Sequence, residues 1–227
     1  MTGPIAIALS GGIDSLVAAY LLKKQAKEIF GLHFLTGFEK PGDPGPAQIQ
    51  ALLQPLDIPV QVVDLKVPFR KTVVDYFANA YQNGETPNPC LVCNPKIKFG
   101  VLLQKARHLG ATHLATGHYA RVETDASGRY RLLKGVDDGK DQSYFLARLT
   151  REQLSRACFP LGSWTKDQVR ALAAEKQLAP VVRSESQDVC FVRDSSYADF
   201  LVETSGMVPR PGEIVDTRGR RLGTHEG

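Results

Sequence analysis

Strand-like and helix-like patterns of apolar residues alternate along the first two thirds of the chain. Short apolar runs typical of buried strands lie at residues 5–8, 28–35, 59–65 and 112–116. Helical periods of apolar residues follow these runs at residues 14–22, 48–56, 68–81 and 96–109. This alternation predicts an α/β fold in which a parallel sheet is flanked by helices on both faces.

Turn and capping signals predict a loop, a hairpin and two more helices between residues 83 and 168. Residues 83–95 are rich in proline, asparagine and cysteine and predict a loop. Residues 121–133 are typical of a β-hairpin. Capping-box sequences that begin at Thr150 and Thr165 predict two further helices.

The character of the sequence changes at about Ser195. A short helical pattern at residues 197–203 leads into a second hairpin pattern at residues 213–223. We therefore predict a catalytic main domain over residues 1–195 and a small helix and β-hairpin unit over residues 196–227. No internal repeat or low-complexity segment interrupts this division.

The composition indicates a globular protein but does not indicate a particular function. The chain has 227 residues, 43% hydrophobic and 23% charged, which is typical of a globular protein with one substantial domain. No apolar run reaches the length of a membrane span, so we expect a cytoplasmic protein with no membrane partner. In that compartment its four cysteines are predicted to be metal ligands or reactive thiols. A net charge of +4 is compatible with a polyanionic partner but does not by itself indicate one.

The segment after the first predicted strand carries a specific chemical signal. Residues 10–15 read Ser-Gly-Gly-Ile-Asp-Ser and lead into a predicted helix. The glycine pair lets backbone amides turn toward one point, where the helix N-terminus adds partial positive charge, so this loop predicts a phosphate cradle. A Walker-type loop would need a Gly-Lys-Ser/Thr ending and a dinucleotide loop a third glycine, and neither is present. The pattern is instead that of pyrophosphate-loop ATPases, which split ATP into AMP and pyrophosphate.

Two regions contain cysteines that are candidates for chemistry. Cys90 and Cys93 form a Cys-x-x-Cys pair among prolines, which suits half of a zinc site or a redox pair. No second pair supplies the other zinc ligands, and the surrounding pattern is not that of thioredoxin. Cys190, beside Val189 and Phe191, is on residue preferences alone a core residue, as is Cys158.

Five blocks in the same order closely resemble the tRNA-specific 2-thiouridylase family (MnmA/TrmU). They lie at residues 10–15, 86–94 with 97–100, 114–121, 139–146 and 186–191, and so span nearly the whole chain. The resemblance implies an adenine nucleotide α-hydrolase-like fold of the pyrophosphate-loop ATPase type. It also implies the activity of a tRNA uridine 2-sulfurtransferase. In that reaction ATP adenylates the C2 oxygen of the wobble uridine, and sulfur then displaces AMP to give 2-thiouridine.

The resemblance implies an ATP site around the glycine loop. Its members are Ala8, Leu9, Ser10, Gly11, Gly12, Ile13, Asp14, Ser15, Phe34 and Gly117. Asp14 is also expected to act in catalysis by helping to place Mg²⁺, because a carboxylate beside phosphates repels them unless a cation lies between. Phe34 stands where the family commonly has a methionine that borders the adenine, so its role is in question.

The resemblance also implies contacts to tRNA. These are expected at Asn88, Pro89, Cys90, His118, Lys140, Asp141 and Gln142, the first three of which would receive the target base. Considered alone, His118 is also typical of a histidine that ends a strand and bonds its neighbours, and Lys140 of a solvated lysine.

The sulfur chemistry is implied to use Cys93 and Cys190 as a catalytic thiol pair. Cys190 would carry a persulfide that a sulfur-relay protein or cysteine desulfurase delivers. Cys93 would attack it and release sulfide, leaving a disulfide to be reduced. Basic neighbours that favour the thiolate form would be Arg183, Arg193, Lys96 and Lys98.

This chain departs from the family pattern at Cys90, where some relatives have an aspartate. Cys90, Cys93 and Cys190 could therefore hold a 4Fe–4S cluster with one iron open to sulfide, and the sequence does not decide between the two routes. Residues 211–227 resemble the opening of the family's central β domain, so the sequence fits either a piece of a longer protein or a natural short form. Two other functions stay open: a different pyrophosphate-loop ATPase, for small-molecule thiolation or synthesis, and a non-catalytic tRNA- or iron–sulfur-binding module.

Overall fold

A parallel β-sheet forms the centre of the molecule. The computed structural model describes residues 3–25, 28–182, 189–192 and 196–226. The strands are β1 (Ile5–Ala8), β2 (Ile29–Leu35), β3 (Val60–Asp64), β4 (His113–Ala115), β5 (Ala120–Thr124), β6 (Tyr130–Lys134), β7 (Ala157–Cys158), β8 (Gly212–Val215) and β9 (Arg221–His225). Within the described residues, five of them form a parallel sheet in the order β3-β2-β1-β4-β7. This confirms the predicted fold class.

The helices cover both faces of this sheet. They are α1 (Ile13–Lys24), α2 (Pro46–Leu53), α3 (Lys66–Phe69), α4 (Asp75–Gln82), α5 (Cys90–Cys93), α6 (Leu103–His108), α7 (Ser143–Leu146), α8 (Arg151–Ser155), α9 (Lys166–Glu175) and α10 (Tyr197–Ser205). The alternating residues of β1 explain the two layers. Ile5 and Ile7 pack into one buried cluster and Ala6 and Ala8 into the other, so the strand is buried on both faces.

The helical run that carries the Cys-x-x-Cys pair begins earlier than the sequence predicts. α5 continues without a break through a π-helical segment (Asn94–Leu102) into α6. The prediction of a loop over residues 83–95 is therefore wrong from Cys90 onward. Pro95 has no amide hydrogen for an α-helical bond to Leu91, and at this point the hydrogen bonds widen to π-helical spacing. Cys90 and Cys93 consequently lie one helical turn apart on one side of a helix.

Gln153 of α8 braces this irregular helix from outside. Both capping boxes predicted from the sequence are present, and Gln153 belongs to the one that Thr150 begins. Its side-chain nitrogen also donates to the carbonyl oxygens of Pro95, at 2.7 Å, and Phe99, at 3.1 Å. These two carbonyls lie in the π-helical segment, where the regular α-helical pattern is lost, so Gln153 ties the cysteine-bearing helix to α8.

We expect Gln153→Ala to destabilise the protein more than its matched control. Gln168 occupies the same capping-box position in α9, and the contact found for its side chain is to the Thr165 amide. Because Gln153→Ala also removes the donor to two carbonyls, it should lower the free energy of unfolding by about 1 kcal/mol more than Gln168→Ala does. Urea denaturation measures both values, and equal losses would show that the brace does not stabilise the fold.

The last part of the chain packs on the main body and then forms a hairpin. Phe200 and Leu201 of α10 are buried in the larger core cluster. β8 and β9 pair antiparallel, as the sequence predicts, and β5 and β6 form the other predicted hairpin. The division of the chain at residue 195 stays a prediction. Among the helices described, none has the length and hydropathy that crossing a membrane needs.

Candidate active site

The glycine loop joins β1 to α1 at the carboxyl end of the sheet. Gly11 has φ of +81°, and a Cβ there would lie 2.9 Å from Ile49 Cδ1, so its backbone conformation requires glycine. Ser15 at the start of α1 closes the loop, because its hydroxyl donates to the Gly12 carbonyl at 3.0 Å and lies 3.3 Å from Ser10 Oγ. The loop therefore has a fixed shape, with Ser10 exposed at its surface.

Asp14 is held by two side chains that the sequence analysis did not single out. Lys166 Nζ lies 2.8 Å from each carboxylate oxygen of Asp14. The Tyr119 hydroxyl donates to Asp14 Oδ1 at 2.7 Å. Lys166 is the first residue of α9, directly after the capping residue Thr165. A capping box marks a helix start but does not indicate which distant loop that start will face, so nothing in the sequence pointed to Lys166.

This arrangement does not fit Asp14 as a direct Mg²⁺ ligand. Both of its carboxylate oxygens are engaged by one ammonium group. Mg²⁺ is usually bound through one or two carboxylates and the substrate's phosphates, and keeps several waters. We derive no step from a metal ion at this carboxylate.

Gly117 allows the segment after β4 to lie close to the backbone of Asp14 and Ser15. It follows β4, and a Cβ on it would lie 2.9 Å from both the carbonyl carbon of Asp14 and the amide nitrogen of Ser15. The absence of a side chain therefore lets this connection contact the first turn of α1. Phe34 is half-buried near the end of β2, the neighbour of β1. The predicted nucleotide residues thus gather at the carboxyl ends of three adjacent strands, where α/β sheets bind ligands.

The structure places Cys190 within electrostatic range of Cys93, which lies far from it in the sequence. Cys90 and Cys190 are exposed, whereas Cys93 is half-buried. Burial raises the pKa of the Cys93 thiol to about 12, the Lys98 ammonium opposes this shift, and Cys190 and Cys90 add to it. Cys90 and Cys190 therefore lie within electrostatic range of the Cys93 thiol, and the pairing of Cys93 with Cys190 stays a prediction.

A cluster of aromatic rings anchors the segment that carries Cys190. Phe191 is buried, and its ring centroid lies 5.3 Å from that of Phe77, 5.4 Å from Phe200 and 5.7 Å from Phe69. Cys190 itself remains exposed beside this anchor. Residues 186–188 of the predicted block at 186–191 lie outside the described residues. Arg183 and Arg193, two of the predicted basic neighbours, lie outside them as well.

The thiols are not gathered as a metal-binding group. Across the described residues, no set of three or more His, Cys, Asp or Glu side chains is placed to hold a metal ion. In a 4Fe–4S cluster each thiolate binds a different iron, so the thiols need not surround a single ion, and the cluster route stays a prediction.

His118 lies between the thiol region and β4. It is buried, its Nδ1 lies 2.6 Å from Thr116 Oγ1, and its Nε2 lies 3.5 Å from Lys98 Nζ. Burial and the nearby Lys98 hold the pKa of His118 well below its usual range, so the ring is neutral. These contacts match the strand-end interpretation of His118, and its contact with tRNA stays a prediction.

The other predicted tRNA residues have local partners as well. Asp141 accepts from the amides of Gly135 and Ser143, and Gln142 accepts from the Tyr119 amide at 3.1 Å. These contacts shape the turn on which Lys140 lies. Asn88 Oδ1 accepts from the Cys90 amide at 3.2 Å and so orients the start of α5. Pro89 is buried, and Lys96, one of the predicted basic neighbours, is exposed.

We expect the reactivity of Cys93 toward iodoacetamide to depend steeply on pH. Only the thiolate is alkylated, and with a pKa of about 12 this thiol is almost entirely protonated at neutral pH. The rate should rise roughly tenfold per unit between about pH 7 and pH 9. Lys98→Met removes the cation that favours the thiolate and should slow labelling further, whereas Lys105→Met on the same helical run should not. Peptide mass spectrometry measures each rate, and a pH-independent rate at Cys93 would contradict the burial argument.

Comparison with known proteins gives the family. A family model described as the tRNA methyl transferase HUP domain matches residues 3–194. The tRNA-specific 2-thiouridylase MnmA of Desulfosudis oleivorans is 52% identical over 98% of this chain and 62% of its own length. The protein of the same name from Geotalea uraniireducens is 48% identical over 98% of this chain and 63% of its own. The chain belongs to the MnmA/TrmU family. It spans a little under two thirds of these MnmA relatives.

A solved structure supports the fold of this MnmA/TrmU family member. The U34-tRNA thiolase NcsA from Methanococcus maripaludis, solved with its 4Fe–4S cluster, is similar with a TM-score of 0.52. The similarity covers 90% of this chain and 64% of that one at 21% identity. It confirms the fold predicted for a pyrophosphate-loop ATPase.

Proposed function

We propose that this chain is the catalytic part of an ATP-dependent tRNA uridine 2-sulfurtransferase. The observation that supports the proposal is that Cys190 and Lys98 both lie within electrostatic range of the Cys93 thiol, near the carboxyl end of the sheet that also holds the glycine loop. Lys98 links the two regions, since it influences the Cys93 thiol and lies 3.5 Å from His118, which follows β4. A nucleotide site and a thiol pair at one end of a sheet suit activation by ATP followed by sulfur transfer. The proposal is also supported by the similarity of the chain to proteins named tRNA-specific 2-thiouridylase.

The first step is activation of the uridine. The C2 oxygen of the wobble base attacks the α-phosphorus of ATP, the bond to pyrophosphate breaks, and the base becomes adenylated at that oxygen. The amides of the glycine loop and the N-terminus of α1 would hold the departing pyrophosphate. Mg²⁺, when bound with ATP, would neutralise phosphate charge, and the arrangement of Asp14 suggests that the phosphates and water supply most of its ligands.

The second step transfers sulfur. The Cys93 thiolate attacks the inner sulfur of a Cys190 persulfide, the sulfur–sulfur bond to the terminal atom breaks, and hydrosulfide is released. The hydrosulfide then attacks C2, the bond from C2 to the adenylated oxygen breaks, and AMP and a proton leave as 2-thiouridine forms. One proton is lost from Cys93, and the resulting Cys93–Cys190 disulfide needs a thiol reductant to restore both thiols. Lys98 favours the thiolate of Cys93 in this step.

The exposure of Cys190 suits delivery of sulfur by another protein. A relay protein or cysteine desulfurase must reach the acceptor thiol, and Cys190 is exposed while Cys93 is half-buried. None of the cysteines, which all lie within the described residues, forms a disulfide, and this suits the cytoplasmic setting that we propose. A cluster route would instead need Cys90, Cys93 and Cys190 to gather around iron, and iron analysis after anaerobic reconstitution tests it directly.

Pyrophosphate release tests the proposed function. The protein is expected to release pyrophosphate from ATP in the presence of unmodified tRNA and to do so far more slowly without it. Release that does not respond to tRNA would favour an ATPase acting on a small molecule. No release under either condition would favour a non-catalytic binding module.

We expect the affinity for tRNA to fall as salt is added. Lysines near the thiols, such as Lys96, and Lys140 on its turn would neutralise phosphates, and each neutralised phosphate releases a counterion. Lys96→Met should reduce the slope of log affinity against log salt by about 1. Lys105→Met, on the same helical run, should leave the slope unchanged. Filter binding across a salt series measures these slopes, and a slope of zero for the unaltered protein would contradict a tRNA partner.

A further inference from the structure

An ion pair between a buried lysine and a partly exposed aspartate joins two distant elements beside the glycine loop. Lys166, at the start of α9, is 4% exposed, and its ammonium lies 2.8 Å from both oxygens of Asp14, in the first turn of α1. A buried lysine needs an anionic partner, since removing its charge from water is costly. Asp14 supplies that charge, and Lys166 in turn neutralises Asp14.

Contacts made by three further residues fix the geometry of the pair. The Tyr119 hydroxyl donates to Asp14 at 2.7 Å, and the Tyr119 ring centroid lies 5.9 Å from Lys166 Nζ. Gln142 holds the backbone of Tyr119 through both its side chain and its amide. Asp137 accepts from the backbone amide of Lys166 at 2.8 Å and so fixes the start of α9. The carboxylate of Asp14 thus has a defined position rather than a mobile one.

The ion pair lies directly beside the glycine loop, so it affects the charge that a bound nucleotide would meet. Asp14 follows the glycine loop directly, and Gly117 lies against its backbone. A free carboxylate there would repel the phosphates that the loop amides attract. We propose that Lys166 is a positioning residue of the nucleotide site, which cancels the charge of Asp14 and, with Tyr119, fixes its carboxylate so that a nucleoside triphosphate binds beside it. This proposal rests on the proposed function only in that the loop binds ATP.

The test compares charged and uncharged ligands in a double-mutant cycle. Isothermal titration calorimetry measures binding of ATP, with magnesium present, and of adenosine to the unaltered protein, Lys166→Met, Asp14→Asn and the double variant. Lys166→Met leaves an uncompensated carboxylate and should weaken ATP binding by about tenfold or more. Adenosine, which carries no phosphate, should bind all four proteins with the same affinity. A general loss of structure would instead weaken both ligands.

The double variant is the decisive one, because it removes both charges together. Asp14→Asn with Lys166→Met should bind ATP within about threefold of the unaltered protein. Asp14→Asn alone should bind ATP at least as tightly as the unaltered protein, and Lys166→Arg should retain most of the affinity. Lys176→Met, a lysine at the end of the same helix that pairs with Glu175, is the matched control and should change nothing.

Three other outcomes would overturn the proposal, and a fourth would contradict the proposed function instead. Unchanged ATP affinity in Lys166→Met would overturn the proposal. A loss in Lys166→Met that the added Asp14→Asn does not restore would also overturn it, since Lys166 would then bind the phosphates itself. If Lys166→Met does not fold, weak ATP binding by the folded double variant would overturn the proposal. Absence of ATP binding by the unaltered protein would instead contradict the proposed function.

Discussion

Replacing Cys93 or Cys190 with serine is expected to lower tRNA thiolation by on the order of 10³-fold or more. Serine cannot carry a persulfide, so Cys190→Ser removes the sulfur carrier. Cys93→Ser removes the thiol that cleaves the sulfur–sulfur bond, and a hydroxyl is a much poorer nucleophile than a thiolate. Each loss should be nearly complete because the two thiols act as one unit. The measurement is 2-thiouridine formed per tRNA, read by mass spectrometry with a sulfur donor, ATP and a thiol reductant present.

Two other cysteines are controls for this prediction. Cys90→Ser should keep part of the activity, since the persulfide route uses the Cys93 and Cys190 thiols and not that of Cys90. Cys158 is buried in β7, away from the predicted thiol pair in sequence, and Cys158→Ala should retain activity. Full thiolation by Cys190→Ser would contradict the assignment whichever sulfur chemistry is correct. Loss of activity in all three of Cys90→Ser, Cys93→Ser and Cys190→Ser, together with loss of bound iron, would favour the cluster route.

Gly117→Ala is expected to lower ATP-dependent pyrophosphate release by about 100-fold. Its added methyl group would lie 2.9 Å from the backbone of Asp14 and Ser15, and backbone atoms cannot move aside as a flexible side chain can. The connection after β4 would have to move away from the first turn of α1, which displaces one wall of the nucleotide site. The measurement is the rate of pyrophosphate release with saturating tRNA, together with the KM for ATP.

Gly223→Ala is the matched control for Gly117→Ala. Gly223 lies in β9, and a Cβ on it would meet nothing within 4 Å. This variant should release pyrophosphate at the rate of the unaltered protein. An unchanged rate in Gly117→Ala, with the fold intact by circular dichroism, would show that close contact between these two segments is not needed for activity.

The central sheet and its flanking helices could be predicted from the sequence because the apolar patterns and the capping signals indicate the same order of strands and helices. Buried apolar strands alternate with capped helices, and a β1 in which every residue is buried belongs to a parallel sheet. Strand β7 was missed because its two residues, Ala157 and Cys158, are too few to show a period. The start of the cysteine-bearing helix was missed because Pro87, Pro89 and Pro95 are loop signals. In the structure Pro95 nevertheless lies within a helical run, near the start of its π-helical segment.

The candidate site was predictable where a motif is local and not where it depends on tertiary contacts. Residues 10–15 carry their own loop geometry, so glycine positions and a helix start were enough. Lys166 and Tyr119 reach Asp14 only after the chain has folded, and no spacing in the sequence connects them. Cys190 is by residue preference a core residue, but in the structure it is exposed beside the buried Phe191, a tertiary placement that no local pattern shows. The resemblance to the family, rather than residue patterns, paired Cys190 with Cys93.

One measurement tests the central claim most directly. Transfer RNA is isolated from cells that lack this protein, from unaltered cells, and from deleted cells that express either the unaltered gene or its Cys190→Ser variant. Mass spectrometry of the nucleosides then quantifies 2-thiouridine and its derivatives at the wobble position. The account predicts that deletion removes these nucleosides, that the unaltered gene restores them, and that Cys190→Ser does not. Unchanged 2-thiouridine in the deleted cells would contradict it.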